Sequence, residues 1–109
     1  MLVVVRGPDE GKTFELPPMG VTLGRNAQCG IHLDHAAVSR QHARIFQEED
    51  SYFIEDLGSR NGLSVNGRRG TRIRLQNCDQ IKMCGYVFRF EEFASSETAK
   101  TELVEETSV

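Results

Sequence analysis

Short runs in which apolar and polar residues alternate, each closed by a turn signal, recur from Leu2 to Phe90 and constrain the fold more than any other feature of the chain. A period of two places successive side chains on opposite faces of an extended strand, so each run reads as a half-buried β-strand. Leu2–Arg6 ends at Gly7-Pro8-Asp9, and Lys12–Leu16 alternates through Phe14 and Leu16 until Pro17-Pro18 stops it. Val21–Leu23 runs into Gly24-Arg25, and Ile31–Leu33 follows a polar loop. Ala43–Gln47 alternates around Ile45, and Glu48-Glu49-Asp50-Ser51 turns the chain into Tyr52–Glu55. Leu63–Val65 leads to Asn66-Gly67, a strong signal for a two-residue hairpin because both residues tolerate positive φ. Thr71–Leu75, Gln80–Met83 and Tyr86–Phe90 complete the series, the last with Tyr86, Phe88 and Phe90 on one face. No run before residue 93 carries a helical stripe, and no internal repeat is present. Strands this short, numerous and evenly punctuated predict an all-β sandwich of about ten to eleven strands, mostly antiparallel.

With 109 residues the chain has the length of one domain, placed at 1–93 and followed by a tail, 94–109, that lacks Gly, Pro and aromatic residues. Charge separates the two parts. The tail carries Glu97, Glu102, Glu105 and Glu106 against Lys100, which accounts for the whole net charge of −3. Taking those four acids and one base from the totals of 16 and 13 leaves 12 of each in the domain. Ten of the 13 basic residues are arginine, whose rigid fork of donors suits phosphate and carboxylate. No stretch approaches the roughly 18 apolar residues of a membrane helix, and the N-terminal run is too short and lacks the basic start of a secretory signal. Cys29, Cys78 and Cys84 are odd in number and without CxxC spacing, so they read as reduced, small apolar residues in an intracellular protein, with no disulfide framework and no metal site.

Three polar loops interrupt the strands, and each sets an arginine beside small or hydrogen-bonding residues: Gly24-Arg25-Asn26, Ser39-Arg40-Gln41-His42, and Leu57-Gly58-Ser59-Arg60-Asn61-Gly62. Any one of them reads as a capped turn, since Ser, Asn and Gly bond local backbone for structural reasons alone. Together, arginines, a serine hydroxyl, an asparagine amide and loop N–H groups form the donor set that an oxyanion with three acceptor oxygens requires.

The order and spacing of these segments resemble the forkhead-associated family, whose pattern is G-R at a strand end, S-x-x-H roughly fourteen residues on, and then D-L-x-S-x-N-G-T-x-V-N-G. Here the pattern stands as Gly24-Arg25, Ser39-Arg40-Gln41-His42 and Asp56-Leu57-Gly58-Ser59-Arg60-Asn61-Gly62-Leu63-Ser64-Val65-Asn66-Gly67. The resemblance spans residue 1 to about 93 and implies a forkhead-associated β-sandwich that docks phosphothreonine peptides without catalysis, cofactor or metal. It implies that Arg25 forks onto the phosphate or steadies its loop, that Ser39 donates its hydroxyl to a phosphate oxygen, and that Arg40 and Arg60 add phosphate or backbone contacts. Asn61 resembles the asparagine that holds the peptide main chain, and His42 a histidine that supports the loops. Gly24, Gly62, Asn66 and Gly67 are expected for backbone geometry. Leu63 departs from the pattern, standing where many relatives have a threonine that serves loop structure.

The implied partner is a protein or peptide phosphorylated on threonine, with a Ser/Thr kinase upstream and no membrane or nucleic acid involved. The expected address is intracellular: cytoplasmic, or nuclear in a eukaryote. An enzyme reading would have to recruit Ser39, His42 and an acid such as Asp34 or Asp56, without a nucleophile elbow. A nucleic-acid reading would lean on Arg60, Arg68, Arg69, Arg72 and Arg74, in a domain neutral overall and without aromatics interleaved along that stretch. A structural or oligomerising use of the fold is the third alternative. In the tail, Thr98, Thr101 and Thr107 sit near glutamates, as candidate phosphorylation sites that would give the domain its own tail as a ligand; the plainer reading is a linker.

Overall fold

Alternate residues of the strands do meet in one core. A computed structural model describes residues 1–92 of the chain; Phe93, the tail and its three threonines lie outside the described residues. Eleven strands form: β1 (Leu2–Arg6), β2 (Thr13–Phe14), β3 (Val21–Gly24), β4 (Ile31–His32), β5 (Ala43–Glu48), β6 (Ser51–Asp56), β7 (Ser64–Val65), β8 (Arg68–Arg69), β9 (Arg72–Leu75), β10 (Gln80–Met83) and β11 (Tyr86–Phe90). They build a six-stranded sheet in the order β2-β1-β11-β10-β7-β8 and a five-stranded sheet in the order β4-β3-β5-β6-β9. Every pairing is antiparallel except β3 with β4. The inward residues of one sheet, among them Val4, Ile81, Phe88 and Phe90, pack on Leu23, Ile45 and Ile54 of the other, all at most 1% exposed.

The hairpin read from Asn66-Gly67 is present, with φ of 52° and 85° at the two turn residues. Its second strand, Arg68–Arg69, escapes a hydrophobicity pattern because both side chains are exposed; the turn geometry alone returns the chain to pair with Ser64 and Val65. Conversely, the run at Lys12–Leu16 pairs only through Thr13 and Phe14, although Leu16 is buried. Pro17 and Pro18 come directly after it and have no N–H to extend a ladder.

Register gathers the three polar loops. Leu23 pairs with Ala43, and Ala43 with Asp56, so the end of β3, the start of β5 and the end of β6 lie at one end of the sandwich. The outer face of the five-stranded sheet is different in character. There Phe46 and Phe53 stack at 5.9 Å, with the Arg44 guanidinium 4.5 Å above Phe46 and that of Arg72 4.8 Å from Phe53. Arg72 also pairs with Glu48. The stretch from Arg60 to Arg74 thus lacks aromatics only along the chain; neighbouring strands supply Phe46 and Phe53, and these engage Arg72.

Candidate functional site

The first and second loops are zipped together by backbone. Arg25 N–H donates to Ser39 O at 3.0 Å and Asn26 N–H to Arg40 O at 3.2 Å. Gly24 makes this approach possible: a Cβ there would stand 2.1 Å from Arg40 O and 2.8 Å from Arg40 C. Its requirement is close approach, in contrast to Gly62, Asn66 and Gly67, which have positive φ. Arg25 uses Nε to donate to Val38 O at 3.1 Å, while its two terminal nitrogens have no partner among the described residues. One edge of the fork thus fixes the side chain, and the other is available to an anion.

His42, fully buried, joins the second loop to the third. Its Nδ1 accepts the Ser39 N–H at 3.2 Å, so Nε2 carries the proton and donates to Gly62 O at 2.8 Å. Two half-buried loop groups, the Ser39 N–H and the Gly62 carbonyl, are satisfied by one buried ring. Because both nitrogens are engaged by backbone, the imidazole is not directed at the Ser39 hydroxyl as a base would be. The Ser39 Oγ instead accepts the Arg60 N–H at 3.1 Å, leaving its own proton to donate elsewhere.

Within the third loop, Asp56 acts as the local cap. Its carboxylate accepts the Ser59 N–H at 2.7 Å and the Ser59 hydroxyl at 2.8 Å, and Ser59 Oγ accepts the Gly62 N–H at 2.9 Å. Leu63 turns its side chain into the core, 3% exposed, where a threonine would have offered a hydroxyl. Asn61 Nδ2 reaches across to Ala37 O at 2.8 Å, and its Oδ1 has no partner among the described residues. Arg69, from the β7–β8 hairpin, donates to Asn61 O at 3.3 Å.

The sequence-predicted residues Arg25, Ser39, Arg40 and Arg60 come together around one depression of about 310 Å³, floored by Ala36, Ala37 and Val38. A smaller one of about 260 Å³ joins Arg25, Asn26 and Arg40. Asn61 stands beside the first, across Ala37. Three supports were not anticipated from sequence: Arg69, Cys29 and Cys84. The Cys29 thiol donates to Arg40 O at 3.3 Å, and the Cys84 thiol to Ala37 O at 3.0 Å. Burial pushes both thiols above the ordinary value, keeping them protonated as donors. Among the described residues no group of three His, Cys, Asp or Glu side chains is placed to hold a metal ion.

A β-sandwich that presents arginines, a serine hydroxyl and an asparagine amide from loops at one end defines a class: a small recognition domain for phosphorylated peptides. The chain belongs to the forkhead-associated family, whose FHA domain model matches residues 21–84. It is 37% identical over 83 residues to the oxoglutarate dehydrogenase inhibitor of Corynebacterium diphtheriae, a match covering 76% of this chain and 58% of that protein. It thus spans little more than half the length of that relative. Among solved structures it is similar to the FHA domain of CT664 from Chlamydia trachomatis, with a TM-score of 0.77, 32% identity, and coverage of 85% of this chain and 96% of that one. EmbR of Mycobacterium tuberculosis, solved in complex with a low-affinity phosphopeptide, matches with a TM-score of 0.76 and 31% identity over 89% of this chain and 26% of EmbR.

Proposed function

We propose that this domain reads threonine phosphorylation on a partner protein, placing the phosphate among Arg25, Ser39, Arg40 and Arg60 and the adjoining peptide backbone against Asn61. The observation that carries the reading is the state of Ser39 and Arg25. Each is held by one bond, Ser39 Oγ by Arg60 N–H and Arg25 Nε by Val38 O, each keeps donors without a partner among the described residues, and both residues line the same depression. Preorganised donors lose little side-chain freedom when the anion arrives. Charge-assisted hydrogen bonds contribute about 1.5–3 kcal/mol each, and a micromolar complex needs about 8 kcal/mol. A handful of such bonds is therefore the right size for a contact made by a kinase and erased by a phosphatase.

His42 serves here as a strut and Ser39 as a donor, so the reading involves no transfer of any group. The site's ligand is a protein or peptide, and the enzyme that must act beforehand is a Ser/Thr kinase. An oriented phosphothreonine peptide library tests the reading. Selection of a phosphothreonine-centred sequence, lost when the library is treated with phosphatase, supports it; capture that ignores the phosphate overturns it.

A further inference from the structure

A larger cavity, about 630 Å³, contains none of Arg25, Ser39, Arg40, Arg60 or Asn61 in its lining and runs along the β8–β9 side of the sandwich. There the two sheets end in neighbouring edge strands, β8 and β9, and the chain passes directly from one to the other. Arg68, Arg69, Arg72 and Arg74 line it, over a floor that includes Val65 and Ile73. Asp79 supplies its one carboxylate, which is engaged in the loops: it accepts the Asn66 side-chain amide at 2.9 Å and the Gln76 N–H at 2.8 Å. Arg72 is held by Glu48, and Arg69 reaches Asn61 O. The side chains of Arg68 and Arg74, both exposed, have no hydrogen bond or ion pair among the described residues.

Glu92, the last described residue, is bonded to the β9–β10 loop, which contributes Gln76 and Asp79 to this groove. Its N–H donates to Asn77 Oδ1 at 2.9 Å, one residue from Gln76 and two from Asp79 in the groove wall. The acidic segment comes next in the sequence, with Glu97, Glu102, Glu105 and Glu106 against a single lysine. The domain itself is neutral, so attraction depends on where charge is placed, and four of its arginines line this one groove. Seventeen residues extend to about 55–60 Å, so reach is not limiting. Leu103 and Val104, between the glutamates, match the apolar floor.

We propose that this groove is a docking site for the chain's own acidic segment, residues 97–106, with Glu102, Glu105 and Glu106 opposite Arg68 and Arg74. The contact needs no phosphate and uses none of Arg25, Ser39, Arg40 or Arg60. A short tether gives an effective concentration of ~1 mM, so a contact too weak to survive between separate molecules is populated within one chain. Occupying the groove also covers two sheet edges that would otherwise be open to pairing with other chains.

The test compares backbone amide chemical shifts in the full chain, in Glu102→Gln/Glu105→Gln/Glu106→Gln, and in Arg68→Gln/Arg74→Gln. Neutralising the glutamates is expected to shift the amides of the groove wall, around Arg68 to Gln76. Raising salt from about 0.02 M to about 0.5 M, which collapses the screening length from roughly 20 Å to a few ångströms, is expected to shift them the same way in the unaltered chain. Both effects should vanish in the arginine variant, and the amides of Arg25 and Ser39 should stay in place throughout. Identical groove shifts with and without the glutamates overturn the proposal. Shifts that grow with protein concentration overturn it in favour of a second copy. A short single-stranded oligonucleotide that binds the groove near physiological salt equally well with and without the glutamates overturns it in favour of nucleic acid.

Discussion

The hydroxyl oxygen of Ser39 accepts the backbone N–H of Arg60 at 3.1 Å, across the gap between the second and third loops. That bond leaves the Ser39 proton free to donate and ties Arg60 to Ser39 beside the depression both share with Arg25. One side chain thus combines a loop tie with a donor free for the proposed ligand.

Ser39→Ala is therefore expected to lower affinity for a phosphothreonine peptide at least tenfold, since one charge-assisted bond is worth about 1.5–3 kcal/mol. Thermal unfolding should change little, because the Arg60 N–H is exposed and water replaces the lost acceptor. Calorimetric titration checks the affinity, and an unchanged dissociation constant would remove Ser39 from the site.

His42→Ala behaves differently. It strips partners from the Ser39 N–H and the Gly62 carbonyl and leaves a cavity where a fully buried ring stood. Each unsatisfied buried group costs about 1–3 kcal/mol, so both stability and binding should fall together. A variant with native melting behaviour and weakened binding would instead mark His42 as a ligand contact.

Gly24→Ala drives a methyl group to within 2.1 Å of Arg40 O. Forced overpacking costs about 1–3 kcal/mol, and the expected outcome is a lowered denaturation midpoint with a displaced second loop. A native midpoint would show that the loops separate without cost.

At neutral pH, alkylation should reach exposed Cys78 well before Cys29 or Cys84. Burial raises both of the latter thiols, so in the native protein the reactive thiolate becomes abundant only at higher pH than for an ordinary cysteine. Mass spectrometry of timed samples reports the order, and early labelling of Cys84 would contradict the bond to Ala37 O.

Features carried by local chemistry were legible in the sequence. Tyr86, Phe88 and Phe90 alternate because their strand has one buried face, and Asn66-Gly67 signals a hairpin because few residue pairs adopt two positive φ values. The three arginine loops stood out as one donor set in the sequence, and register brings them to one end of the sandwich. The features that stayed hidden depend on contacts between distant segments. Arg68–Arg69 becomes a strand through pairing alone, and Gly24 is needed because Arg40 approaches from sixteen residues away. Cys84 looks apolar in sequence, yet shares the Ala37 carbonyl with Asn61. Arg72 looks like a basic site until Phe46, Phe53 and Glu48 arrive from other strands.

The most direct measurement is a calorimetric titration of the full chain with a phosphothreonine peptide selected from the library, with the same peptide after dephosphorylation, and with the Arg25→Ala variant. The account predicts micromolar binding of the phosphopeptide, loss of binding without the phosphate, and at least a tenfold loss in the variant, whose fold should remain intact. Equal affinity for the phosphorylated and unmodified peptides, or full affinity without the Arg25 guanidinium, would contradict it.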